Sequence, residues 1–325
     1  MTYPVKEFNL KNSLGEERFN KGHSTLHSFD ENGKKLYVKH SRFGVGAIND
    51  AVHYELSKFL GFPHAKTGLA TIKDGKTTYG GVWSENFMPD NTQRIPLHAV
   101  LYVTQGLLLD DIGFAKQSNS AYFDEVEKLP QDMNLLALEE NFLKSHGTEF
   151  FEKYLKDIWL PTCFYADVDT FDGHNTEVLD EYTKQELNFA PLFDKEYSAV
   201  LMKHYPYKTL KLNEHERTPF TDLRMSKVLN NGIHPNNIKF LKEKYPKIFY
   251  NFCYKLLKLQ NSDYRPGLEK IFNLESTRNF LLNNKFTCET KPPIDTKPKL
   301  KSLGQNALRD YIDRSKLYTS IKMEI

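Results

Sequence analysis

The chain has 325 residues, with 44 Lys and Arg against 42 Asp and Glu for a formal net charge of +2, and 39% of its residues are apolar. That balance supplies no global field to recruit nucleic acid or a membrane surface, and the length suffices for two lobes around a substantial core. Cys163, Cys253 and Cys288 are far apart, odd in number and without metal-ligand spacing, so they read as reduced, buried thiols rather than a disulfide framework.

The first residues lack a charged-then-apolar leader pattern, so synthesis in the cytoplasm without classical export is expected. The opening part reads as β. Thr25 to Asp30 and Lys35 to His40 flank Glu31-Asn-Gly33, and Asn-Gly between alternating runs is a strong hairpin signal. A second hairpin is predicted from Leu69 to Lys73 and Thr77 to Trp83 around Asp74-Gly75. Between the hairpins, Val52, Leu56, Phe59 and Leu60 give Ala47 to Leu60 a helical spacing that stops at Gly61. The turn Asn20-Lys21-Gly22-His23-Ser24-Thr25 offers backbone amides and hydroxyls that could cover phosphates. Lys39, inside a strand, could face a helix that carries Asp50 and Glu55, the arrangement in which kinases hold ATP phosphates. By itself a strand lysine is more often a surface residue.

Ser84, Glu85, Asn86 and Phe87 end this section, and the stretch on to Asp90 reads as a hinge whose backbone could bind an adenine edge. Beyond it the pattern is helical over Leu97 to Leu109, Met133 to Leu143 and Thr148 to Trp159. The first of these, the longest apolar stretch, is broken by His98, Thr104 and Gln105 and is too short to span a bilayer. Pro161 should end or kink the helix before it. Then comes Tyr165-Ala-Asp-Val-Asp-Thr-Phe-Asp-Gly-His-Asn175, which crowds Asp167, Asp169, Asp172 and His174 beside Asn175. Two unit charges about 4 Å apart repel by about 4 kcal/mol at an effective dielectric near 20. The stretch therefore holds its carboxylates apart in water or places a cation among them. Asp and Asn oxygens suit hard magnesium, which takes phosphate oxygens for its remaining ligands. Thr176 to Leu179 and Asn188 to Asp194 predict a short hairpin with Asn175 at its entry and Asp194 at its exit. A metal-dependent hydrolase built on Asp167, Asp169, Asp172 and His174 is a rival reading, weakened because no second His stands at ligand spacing nearby.

The rest reads as helical. Met225 to Leu229 ends at Asn230-Asn-Gly232, Pro235 opens a helix with Ile238 and Leu241, and Ile248, Phe252 and Leu256 mark a buried stripe. Leu268, Ile271 and Phe272 mark another. Cys288 to Lys301 is a basic, Pro- and Lys-rich segment expected to be extended, and Leu308, Tyr311 and Ile312 belong to a short last helix. Strands first and helices after give an α+β fold, with divisions at 1–88, 89–288 and 289–325.

Lys39, Asp172-Gly-His174 and Ala190-Pro-Leu-Phe-Asp194, in this order and spacing, resemble the HipA-like serine/threonine kinases; Leu60-Gly-Phe-Pro63 also looks like that family's helix end. The resemblance runs from about Phe19 to Ser198. It implies a two-lobed kinase-like fold akin to protein and lipid kinases, with an antiparallel β-rich N-lobe and a mainly helical C-lobe. It implies ATP and magnesium as cofactors, a protein Ser/Thr acceptor that includes the chain itself, and, for some relatives, release and virulence-related action in host cells. Lys39 then holds the α- and β-phosphates, Asn20 to Thr25 cover them, Glu85 to Phe87 meet the adenine, Asn175 and Asp194 hold the metal, and His174 supports the loop. The family's catalytic Asp stands five positions before the Asn, where this chain has Thr170, so Asp169 or Asp172 takes the part. Its regulatory serine falls near Phe19, so Ser24 or Thr25 would substitute. A small-molecule or lipid kinase, and a catalytically inactive binding module, are the competing functions.

Overall fold

The computed structural model of the chain describes residues 3–17, 25–89, 92–97, 135–167, 176–181, 186–193, 228, 230, 232–261, 271, 275–287 and 297–322. The chain divides into two compact units. The first comprises Met1–Phe87, Phe193–Thr221 and Lys258–Arg314, and the second Met88–Leu192, Asp222–Leu257 and Ser315–Ile325. The first is rich in sheet and the second mainly helical, as the α+β reading expects.

In the first unit, strands β1 (Val5–Asn9), β2 (Gly15–Glu17), β3 (Leu26–Glu31), β4 (Lys34–His40), β5 (Thr67–Asp74) and β6 (Thr77–Glu85) form one sheet in the order β1-β5-β6-β4-β3-β2. The β3–β4 hairpin turns through Asn32 and Gly33, both at positive φ (57° and 79°), the backbone that a tight two-residue hairpin requires. Helix α1 (Gly44–Leu60) begins three residues before the predicted start and stops as Gly61 takes a left-handed φ of 67°. Two strands go unpredicted. β1 pairs with β5 in parallel, so the sheet is not wholly antiparallel, and β2 pairs with β3. In β1 only Phe8 is buried, so the period-two signal is too faint to read.

Strand alternation separates two faces. One carries Phe8, Phe29, Leu36, Val38, Ala70, Ile72 and Trp83 as a continuous cluster. On the other, the Phe286 ring stands where a Cβ on Gly80 of β6 or Gly44 of α1 would meet it at 2.3 and 3.2 Å. Asn284, at the end of helix α7 (Glu275–Asn283), donates from Nδ2 to Thr71 Oγ1 of β5 at 3.2 Å. This second face is therefore the helix-covered one.

In the second unit, strand β7 (Thr92–Pro96) stands where a helical pattern was expected directly after the hinge. It pairs with β8 (Glu177–Glu181), which pairs with β9 (Glu186–Phe189), giving a small sheet in the order β7-β8-β9 and bearing out the β8–β9 hairpin. Helices α2 (Leu135–Ser145) and α3 (Gly147–Tyr154) follow the predicted spacing. Pro161, expected to end or kink the helix, does not end the helical path. A π-helical turn at Leu155–Trp159 precedes it, and helix α4 (Leu160–Tyr165) runs through Pro161 to a left-handed Ala166. The caps at Tyr154, Trp159 and Leu160 are all right-handed helical, so Pro161 lies inside one continuous helical path, and the widened turn before it makes room for its ring.

Aromatic rings dominate this core. Phe142 stacks on Tyr154 with centroids 5.1 Å apart, and Phe150 on Phe189 of β9 at 4.5 Å. Helix α5 (Pro235–Lys244) opens on Pro235 as predicted. Helix α6 (Pro246–Asn261) buries Phe249, Phe252, Cys253 and Leu256, while the predicted stripe member Ile248 is only half-buried. Helix α8 (Lys297–Lys322) replaces both the extended basic segment, from Lys297 on, and the short final helix. Pro298 lies in its first turn and so does not oppose it. Cys163 and Cys253 are buried free thiols, as read from their spacing; Cys288 lies outside the described residues.

Candidate active site

Lys39 sits in β4 opposite Val82 of β6 and is only 7% exposed. Leu36 and Val38 belong to the apolar cluster, so alternation turns Lys39 to the helix-covered face. The surface-lysine alternative is thereby excluded. Lysine is almost never buried this far without compensation, because its charge is costly to remove from water. Helix α1 packs on β5 and β6 and buries an unusual polar row, Asn49, Asp50, His53 and Ser57. Asp50 is 2% exposed, whereas Glu55 is half-buried. Of the two candidate acids, Asp50 is thus the one shielded from water, and neither it nor Lys39 lacks an interaction partner. His53 Nε2 lies 2.8 Å from the Tyr311 hydroxyl of α8, fixing this part of α1.

The segment expected to cover phosphates joins β2 to β3, which are antiparallel neighbours. Thr25 is described; Asn20, Lys21, Gly22, His23 and Ser24 lie outside the described residues. At the other end of β6, the Glu85 N–H donates to the Lys66 carbonyl and the Asn86 N–H to the Lys35 carbonyl, both at 2.9 Å. These two amide donors are used by the sheet itself, which removes them from any adenine contact. The Glu85 side chain accepts from Lys66 Nζ at 2.5 Å. That bond holds the Glu85 carboxyl below the usual range and the Lys66 ammonium above its own, in a largely solvated pair of little energetic weight. Phe87 lies 5.6 Å, centroid to centroid, from Phe193, the residue before Asp194. Phe193 thus packs on the hinge stretch within the first unit.

In the second unit the acid-rich stretch begins where α4 ends. Asp167 is 1% exposed and donates its N–H to the Thr162 carbonyl at 3.1 Å. Asp169, Asp172, His174, Asn175 and Asp194 lie outside the described residues. Their immediate neighbours are placed. The Leu97 N–H donates to the Thr176 carbonyl at 2.9 Å, and the Ala190 N–H to the Glu177 carbonyl at 2.8 Å. The residues that follow Asn175 and those that lead to Asp194 are therefore hydrogen-bonded neighbours. Among the described residues no group of three or more His, Cys, Asp and Glu is placed to hold a metal.

Two residues of this region escape sequence reading. Arg94 of β7 forms an ion pair with Glu177 of β8, their side chains 17% and 7% exposed. Arg94 stands 83 positions earlier in a strand that no local pattern announces. Glu177 could have been flagged only as one more acid after Asn175.

No family model and no curated protein matches the chain. Among solved structures, the Helicobacter pylori proinflammatory kinase CtkA aligns over 99% of this chain and 99% of its own, at 14% identity and a TM-score of 0.49. HipA, from a Shewanella oneidensis MR-1 complex with HipB and operator DNA, aligns over 94% of this chain and 65% of its own, at 14% identity and a TM-score of 0.45. Likeness at this level assigns no residue a role. Among the described residues no helix is long and apolar enough to cross a membrane.

Proposed function

We propose that this protein is an ATP- and magnesium-dependent kinase that phosphorylates serine or threonine hydroxyls of proteins, itself included. The observation that carries the reading is the burial of Lys39 on the helix-covered sheet face, where α1 also buries Asp50. A strand lysine on that face, beside an acid of the packed helix, is where the α- and β-phosphates of ATP are held in kinases.

The chain's other residues fit the same chemistry. Asn20 to Thr25 would cover the phosphates, and Asn175 and Asp194 offer the hard oxygen donors that magnesium prefers. Magnesium, when bound, neutralises the charge that builds on the phosphoryl oxygens. Asp169 or Asp172 would orient the acceptor hydroxyl and accept its proton. His174 would support the loop. The protein's contribution is positioning and charge neutralisation.

Labelled ATP with magnesium, alone and with a generic basic protein, tests the reading. Self-labelling or labelling of the added protein is the expected result, lost in Lys39→Ala and Asp194→Ala while both variants remain folded. Undiminished labelling in both variants discards these assignments. Labelling confined to added lipid or small alcohols moves the acceptor to another class.

A further inference from the structure

Four polar side chains form a row across the apolar face of the first unit's sheet, one from each of the neighbouring strands β2, β3, β4 and β6. Glu16 stands opposite His27 in register, His27 stands opposite Val38, and His40 follows Val38 by two positions and so shares its face. The His27 and His40 rings lie 5.9 Å apart, centroid to centroid, and the Tyr79 ring lies 4.7 Å from His40. Glu16 Oε1 is 3.8 Å from His27 Nδ1, beyond hydrogen-bond reach.

Each imidazole keeps a buried nitrogen unused. His27 is 6% exposed, and neither its Nδ1 nor His40 Nε2 has a hydrogen-bond partner. Buried polar atoms are nearly always paired, so two unpaired ones on adjacent strands ask for an explanation. Burial, then the charge that His27 would carry, oppose protonation of His40, and Asp74 favours it less strongly. A neutral imidazole has a lone pair on one ring nitrogen, and this is the form that binds a metal.

We infer that His27 and His40 form a two-imidazole site for a divalent transition ion of the zinc class, completed by the Glu16 carboxylate. Two imidazoles on one zinc ion, each with a Zn–N bond of about 2.0–2.1 Å, set their ring centroids about 5–6 Å apart. The spacing of the two rings falls in that range. Glu16 does not reach the pair as it stands, and accordingly the described residues show no ready group of three. Its side chain is 65% exposed on β2, the edge strand, so a change of its torsions can bring the carboxylate to the ion. The same edge gives the ion a way in. Imidazole nitrogens favour zinc, nickel or copper over magnesium. The site differs in place as well as in chemistry from Lys39, which alternation puts on the opposite face.

The test titrates Zn²⁺ into the metal-free full chain by calorimetry, beside His27→Gln, His40→Gln and Glu16→Gln, and follows the thermal unfolding of each with and without zinc. Wild type should bind one equivalent and melt at a higher temperature with it, because the ion ties β2, β3 and β4 together. Loss of either imidazole should abolish the shift and weaken binding by more than the 10- to 100-fold or so that a merely supporting residue costs; Glu16→Gln should weaken it by about 10-fold. Zinc uptake unchanged in all three variants places the ion elsewhere on the chain and overturns the inference, as does wild type that binds no zinc. Should the histidine variants not fold, electron paramagnetic resonance of one equivalent of Cu²⁺ on the wild type carries the test. Coupling to two imidazole nitrogens is expected there, and coupling to fewer overturns the inference. None of these measurements uses ATP, so their outcome is separate from that of the kinase reading.

Discussion

Lys39 and Glu177 are both buried charges on strands, one in each unit, but they are held in different ways. Lys39 stands in a sheet whose β3–β4 and β5–β6 hairpins close through local turns, and its strand neighbour is the apolar Val82. Glu177 stands in a small sheet whose first strand lies at 92–96 and whose hairpin begins at 177, and its counter-charge is one long-range side chain. Removing a charge from the first setting leaves the sheet's main-chain ladder intact. Removing it from the second strands Arg94 in a place with little water, and that is where the greater structural cost should fall.

The largest effect should come from Lys39→Met. Loss of the phosphate-holding charge should lower phosphoryl transfer by at least about 10²- to 10³-fold, with the melting temperature moved by no more than about 5 °C. Arg94→Met provides the other half of the comparison. It should cost about 3–5 kcal/mol in urea unfolding by leaving Glu177 uncompensated. If Lys39→Met proves the more destabilising of the two, the contrast between the two settings fails.

Two glycines sharpen the contrast in packing. A Cβ on Gly81 would lie 2.1 Å from the Lys39 carbonyl oxygen and 2.6 Å from Ile72 Cδ1. Main chain cannot step aside, so Gly81→Ala should cost about 3 kcal/mol or more and disturb nucleotide binding through Lys39. In the second unit, a Cβ on Gly232 would meet the Tyr318 hydroxyl at 2.1 Å and Cys163 Cβ at 2.6 Å. The atoms met there belong to side chains, but the Tyr318 ring is rigid and buried and Cys163 Cβ moves only with its backbone, so Gly232→Ala should cost nearly as much, about 2–3 kcal/mol by the same urea measurement.

The smallest effect concerns acid. Burial, then the neighbouring His27, hold the His40 imidazole below its ordinary value, with Asp74 opposing; burial alone lowers His146 in the second unit. The folded-state values lie below the unfolded one, so the unfolded chain takes up protons first as pH falls. The stability these neutral rings contribute is present above about pH 6.5 and is lost as pH drops below it toward the folded-state values. His40→Gln and His146→Gln should each flatten part of the fall in urea midpoint between about pH 7.5 and 5. An unchanged slope in either variant rules that ring out as a source of it.

What the residues disclose beforehand follows the range of the interaction. Asn32-Gly33 and Gly61 announce their hairpin and helix end because the turn and the cap are set within a few positions. The Lys39 strand is legible for the same reason. β1 is not, because Val5 to Asn9 find their partners at Leu69 to Lys73, and only Phe8 among them is buried. β7 is hidden likewise, since Thr92-Gln-Arg-Ile-Pro96 carries no local strand pattern and finds its partner only at Glu177 to Glu181. Two prolines mislead: Pro161 reads as an end or kink but is accommodated after a π-helical turn, and Pro298 belongs to a segment read as extended but falls in a first helical turn, where proline is tolerated. The candidate site divides on the same line. Lys39 is visible in the sequence and the Arg94–Glu177 pair is not.

The sealed thiols of the second unit have a practical consequence. Cys163 and Cys253 are both fully enclosed, and burial drives the Cys163 thiol well above its ordinary range, so little reactive thiolate exists to meet an alkylating reagent. Cys253 also contacts the Tyr318 carbonyl at 3.6 Å, near the end of α8. Modification at these two sulfurs therefore reports how often the helical unit opens, providing a stopwatch for its breathing with no added label.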